Sequence, residues 1–158
     1  MGSMMINRQP LLCFPEAVRH APEIDAWLAA RGALGALAQT WFARMRGCGA
    51  DVRELLHDGH PTACVGAAAF GYVNVFTAHV NVGFFRGAEL PDPQGLLQGS
   101  GRFMRHVKLR PGAPGGLGID ADADADADAL GTLIRIAYTD MRQRLAAHSS
   151  TTHQSDSP

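Results

Sequence analysis

The apolar positions of this chain change period along its length. Ile24, Trp27 and Leu28 recur at i, i+3 and i+4, the spacing of one helical face. Pro22 and Glu23 suit the first turn of that helix, and Gly32 ends it. Leu34, Leu37, Ala38, Trp41, Phe42 and Met45 then continue at helical period. Arg44 and Arg46 complement the carbonyl end of this second helix, and Gly47 and Gly49 stop it. Both tryptophans read as core residues.

After Asp51 the pattern turns to alternation. "DVRELLHDGHP" alternates loosely and ends in the turn pair Asp58-Gly59. "FGYVNVFTAHVNVGFF" predicts a hairpin turning at Thr77-Ala78. Val73 and Val75 share one face of its first arm, against Tyr72, Asn74 and Phe76. Val80, Val82 and Phe84 share a face of the second arm, against His79, Asn81 and Gly83. "RGAELPDPQ" reads as a loop, followed by one helical turn at Leu96 and Leu97. Phe103, Val107 and Leu109 alternate with Arg102, His106, Lys108 and Arg110, which predicts a half-buried strand. Arg105 has the parity of the buried face. A guanidinium there must pair with a carboxylate, with Glu54, Glu89 or Asp92 as candidates, or point into a cleft as an anion ligand.

"RPGAPGGLG" reads as a linker. A closing helix is expected from Ala129 to Leu145, with Leu130, Leu133, Ile134, Tyr138 and Met141 on one face. The predicted fold class is α+β: an antiparallel β-sheet with two N-terminal helices and one C-terminal helix packed on it. Residues 1–5 read as a cloning remnant, 6–147 as a single domain, 120–129 as an Asp-Ala spacer and 148–158 as a disordered tail.

Composition supports one globular domain, since 46% of the 158 residues are hydrophobic and 18% charged. A formal net charge of −1 argues against a large nucleic-acid footprint. The apolar stretch from Thr62 to Phe85 is interrupted by Asn74, His79 and Asn81, so no membrane span is expected. Cys13, Cys48 and Cys64 are odd in number and form no C-x-x-C pair. They read as reduced, mostly packed thiols of a cytoplasmic protein.

Four stretches invite a chemical reading. The Asp-Ala tract places aspartates at alternate positions, as a calcium loop does, but no register supplies both the sixth-position glycine and the closing glutamate. It is expected to be a solvated spacer whose last aspartates, Asp126 and Asp128, favour the start of the closing helix. His57, His60 and Cys64 are metal-ligand types suited to iron or zinc, though their spacing matches no established zinc pattern. Gly95, Gly99 and Gly101 fit neither a phosphate loop nor a dinucleotide fingerprint, and no nucleophile elbow is present. Gly99-Ser100-Gly101 is a candidate backbone nest for an anion beside Arg102 and Lys108; the alternative is a loop that needs positive φ.

One long segment carries a resemblance. His79-Val80-Asn81-Val82-Gly83-Phe84, then Gly87-Ala88-Glu89-Leu90-Pro91-Asp92-Pro93, then Gly95-Leu96-Leu97, Gly99, Gly101 and Met104-Arg105-His106-Val107-Lys108-Leu109 follow one another in order. This run resembles the signature of the YdhG-like bacterial domain-of-unknown-function family, extending over about residues 51–110. The resemblance implies a small α+β domain with an antiparallel sheet. It assigns no activity, although one branch of that family is labelled a frataxin-like intracellular iron chaperone.

The leading functional expectation is a non-enzymatic binding module with an anion-favouring surface. Its ligand, a small anion or a partner, is expected between the hairpin and the 95–110 segment, against Asn81, His79, Arg105, His106, Lys108, Gly99 and Gly101. The alternatives are an iron- or zinc-binding protein using His57, His60 and Cys64, and an enzyme with His79 or His106 as general base. Self-association through a sheet edge, giving a homodimer, is a further expectation.

Overall fold

The computed structural model describes residues 11–111 and 123–155. Five strands run β1 (Val52–His57), β2 (His60–Val65), β3 (Ala68–Val75), β4 (Val80–Phe84) and β5 (Arg105–Leu109). Their order in the sheet is their order in the chain, and every neighbouring pair is antiparallel. Helices α1 (Pro22–Ala29), α2 (Gly32–Arg46) and α3 (Ala123–Ser155) pack on one face. The α+β class, with two helices before the sheet and one after it, is the one the periodicity predicts.

Local chemistry explains the connections. Asp58 and Gly59 both have positive φ, 52° and 78°, the geometry of a tight two-residue hairpin turn, and Asp and Gly tolerate it best. Between β3 and β4 the Phe76 amide donates to the His79 carbonyl across Thr77-Ala78. Side-chain alternation builds most of the core, and a bulge on β3 opposite Ala63 and Cys64 turns Phe70 to the same side. Phe70, Val73, Val80, Val82, Phe84, Val107 and Leu109 are buried against Ile24, Leu28, Phe42, Met45, Leu130 and Ile134. Each such apolar side chain contributes about 1.5–3 kcal/mol. Gly71 lets α2 approach the sheet, since a Cβ there would lie 2.9 Å from the Met45 methyl.

Several expectations are revised. α3 starts at Ala123 rather than Ala129, so the later part of the Asp-Ala tract is helical. Alanine is the strongest helix former, and aspartates are favourable near a helix N-terminus. Asp126 is buried rather than solvated. The helix also continues to Ser155, well into the stretch expected to be a disordered tail, although Leu145 is the last apolar side chain packed against the core. Leu96 and Leu97 form no helical turn. The Asp92 carboxylate accepts from both of their amides, at 2.8 and 2.9 Å, and Gly95 takes a left-handed φ of 67°. That Asx-type turn competes directly with a helix start. Residues 1–5, most of the linker and the first residues of the Asp-Ala tract lie outside the described residues.

The helix-covered face of the sheet buries the Glu54 carboxylate completely. Arg46 binds it bidentately through Nε and Nη2, both at 2.7 Å, and the Ala21 amide donates to it at 2.9 Å. Asp25 joins the same guanidinium at 3.0 Å. Burial tends to raise the Asp25 carboxyl, but Arg46 and His20 hold it below the usual carboxylate range. Glu54 is therefore already occupied and does not pair with Arg105. Glu89 is taken by Arg86 and Arg144, and Asp92 by the two leucine amides.

Candidate functional site on the helix-free sheet face

Strand alternation sends the other set of side chains to the face opposite the helices. Half of this face is covered by the chain's own N-terminal segment. Cys13 bridges to Ala68 and Val18 to Glu54, while Phe14 and Ala17 pack on Leu55, Cys64, Ala69 and Phe85. From there a row of rings crosses the sheet. Phe14 lies 4.5 Å from His57, His57 lies 6.5 Å from His60, His60 lies 4.9 Å from Tyr72, and Tyr72 lies 5.4 Å from Phe85. Tyr72 spreads over Gly83, where a Cβ would sit 2.0 Å from its ring carbons.

The other half carries polar groups on β3, β4 and β5. Asn81 stands in register between Asn74 and Lys108, and Gly83 stands between Tyr72 and His106. His79 and Arg110 flank the ends of their strands. Four residues of the predicted site, His79, Asn81, His106 and Lys108, are thus brought together. His106 is held below the ordinary imidazole range by burial first, then by Lys108 and His79. His79 is lowered likewise, by burial and then by Lys108 and Arg110. No carboxylate is among the groups acting on either ring. Both imidazoles are therefore neutral near pH 7, each with one donor and one acceptor nitrogen. The Asn81 carboxamide oxygen is buried and has no hydrogen-bond partner among the described residues.

The remaining predicted site residues do something else. Arg105 pairs with no carboxylate among the described residues. Its Nη1 donates to the carbonyls of Gly101 and Met104, closing the loop that precedes β5. Gly99 and Gly101 lie in that loop. Gly99 has φ 121° and lies against Arg105. The Gly101 carbonyl accepts from the guanidinium, so this loop is tied to Arg105. Gln98 exchanges both backbone hydrogen bonds with His106, at 2.7 and 3.0 Å, and so occupies part of the β5 edge. Val18 does the same for β1, which leaves less open edge for self-association than the strand pattern suggests.

The metal-ligand set does not converge. His57 and His60 are cross-strand partners beside the Asp58-Gly59 turn, whereas Cys64 is four residues further along β2, about 13 Å at the usual strand rise. Cys64 is fully buried, and burial, with Cys13 and Glu16 behind it, pushes its thiol up to about 12. It is a thiol packed in an apolar cluster with Leu55, Ala69 and Phe85. Among the described residues no three His, Cys, Asp or Glu side chains are placed to hold a metal ion. Cys13 departs from the packed-thiol expectation in being exposed.

Sequence reasoning missed the ring row. The shared parity of His57, His60 and Tyr72 is a signal for part of it, but the arrival of Phe14 depends on the path of the N-terminal segment. No helix of the described residues is long and apolar enough to cross a membrane. Comparison with known proteins adds no neighbour: no family model, curated protein or solved structure matches this chain.

Proposed function

We propose that this chain is a non-enzymatic, cytoplasmic binding module that takes a small anionic ligand on the β3–β5 half of the helix-free face. The observation that carries this reading is the buried, unpartnered carboxamide oxygen of Asn81 amid cations that have no carboxylate among them. A buried acceptor without a donor costs about 1–3 kcal/mol, and a ligand that donates to it recovers that cost. The ligand therefore combines a hydroxyl or amine donor for Asn81 with an anionic group for Lys108. His79 and His106, neutral but rich in donors, complete the contacts. The resemblance of residues 51–110 to the YdhG-like family belongs to the same proposal, and it accommodates a binding module without naming a ligand.

The test is a thermal-shift panel of citrate, malate and tartrate at constant ionic strength, with no phosphate-bearing member. At least one is expected to stabilise the protein, and both Asn81→Ala and Lys108→Gln are expected to abolish that stabilisation. No stabilisation by any member, or stabilisation that survives both substitutions, sinks the reading.

A further inference from the structure

Away from the sheet's open face, the groove between α2 and α3 opens into a cleft of about 350 Å³ lined by Ala43, Arg44, Cys48, Arg135, Tyr138 and Thr139. Gly131 of α3 is part of its lining. The point where a Gly131 Cβ would stand is 2.4 Å from Arg44 Nη2 and 3.8 Å from Arg135 Nη1. Two guanidinium groups, one from each helix, thus converge over one glycine. Neither forms an ion pair among the described residues: Arg135 donates to the Thr132 hydroxyl at 3.1 Å, and Arg44 leans toward the Trp41 ring. Asp51, the carboxylate that acts on Cys48 at this cleft, is already engaged by the Tyr138 hydroxyl and by Arg142.

Like charges brought together are unfavourable unless an anion joins them. Position in the last turn of α2 accounts for Arg44 as a partner of the helix dipole. It does not account for Arg135, nor for the glycine. Gly131 interrupts a helix rich in alanine, where glycine is a poor helix former. Its missing Cβ makes room for no backbone, only for the end of Arg44 and, further off, Arg135.

We propose that this cleft is a second anion site, in which Arg44 and Arg135 clamp a phosphoryl group, with the Thr139 hydroxyl beside them. Paired guanidiniums match a tetrahedral oxyanion through several parallel N–H donors. A cleft of about 350 Å³ has room beyond a single phosphate ion, so the group belongs to a larger phosphate monoester. This site is independent of the sheet-face reading and shares no residue with it.

The full chain is titrated by calorimetry with inorganic phosphate and, separately, with glycerol phosphate, against chloride at matched ionic strength. Saturable binding is expected, tighter for the monoester, and weakened about tenfold or more by Arg44→Gln and by Arg135→Gln. Binding of inorganic phosphate alone, still dependent on both arginines, supports the clamp and names the free ion as its ligand. Gly131→Ala is the second variant. Its Cβ displaces Arg44, so affinity falls, while the melting temperature holds or rises because alanine is the better helix former. As a local readout, bound phosphate slows iodoacetamide labelling of Cys48 while leaving the exposed Cys13 unchanged. The proposal is overturned if neither anion binds, or if affinity is unchanged in all three variants. Lys108→Gln leaves this binding intact, which separates it from any failure at the sheet face.

Discussion

Two buried polar groups, one on each face of the sheet, are treated in opposite ways. On the helix-covered face, the fully buried carboxylate of Glu54 has both oxygens engaged, by a bidentate guanidinium and a backbone amide. On the open face, Asn81 buries an oxygen that nothing in the described chain meets. Glu54 is answered because the fold depends on it, although Arg86 Nε and Asp126 Oδ2 on the helix side are buried without a hydrogen-bond partner among the described residues. An uncompensated charge there is among the most damaging defects a core can carry. The open face leaves the Asn81 acceptor unmet among the described residues.

The largest way to break this contrast is Glu54→Ala. It leaves Arg46 without its main partner and the Ala21 amide without its acceptor, and chemical denaturation is expected to show a loss of about 3 kcal/mol. A Glu54→Gln variant is expected to lose less, because the amide oxygen keeps one acceptor. Next is Gly83→Ala on the open face. Its methyl would overlap the Tyr72 ring, and expelling that ring from its place beside Phe85 is expected to cost about 1–3 kcal/mol. Loss of Tyr72 protection in fluorescence quenching checks the cause.

Smaller still is Asn81→Ala. Removing an unpartnered buried acceptor relieves a desolvation cost of about 1–3 kcal/mol. Offset in part by lost packing, the unfolding free energy is expected to hold or rise by about 1 kcal/mol, while ligand-induced stabilisation disappears. A destabilisation as large as that of Glu54→Ala would make Asn81 a structural residue and erase the contrast. The smallest effect is electrostatic. Lys108 is a cause of the lowered values of both His79 and His106, so Lys108→Met is expected to raise both imidazoles in an NMR titration. The sign for stability follows. These rings have folded-state values below their unfolded value of about 6.5, so their burial costs nothing above that pH. It disfavours the folded state as pH falls and the unfolded chain takes up protons first. Lys108→Met is therefore expected to lessen the drop in melting temperature between about pH 7.5 and pH 5.5.

Much of the fold is legible in local pattern. Val73 with Val75, and Val80 with Val82 and Phe84, set their burial through period-two alternation, and Asp58-Gly59 marks its turn by backbone preference alone. His79, Asn81, His106 and Lys108 were found for the same reason, since parity on adjacent strands places them on one face. Arg105 shows where parity stops being enough. It marks the side from which a residue leaves the backbone, but a four-bond side chain at a strand's first residue is free to turn back over the preceding loop. Asp92 is similar: its role in replacing a helical turn at Leu96 and Leu97 depends on a carboxylate reaching two particular amides.

The sequence by itself determined the α+β class, the antiparallel run of strands, the two hairpin turns and the division of side chains between sheet faces, because each follows from interactions a few residues apart. Only the tertiary structure decided that Arg46 belongs to Glu54, that Phe14 completes a ring row begun by His57, and that Arg44 and Arg135 meet over Gly131. Those pairings join positions far apart in the chain, and which distant groups meet is settled by the packing of helices on the sheet rather than by any local preference.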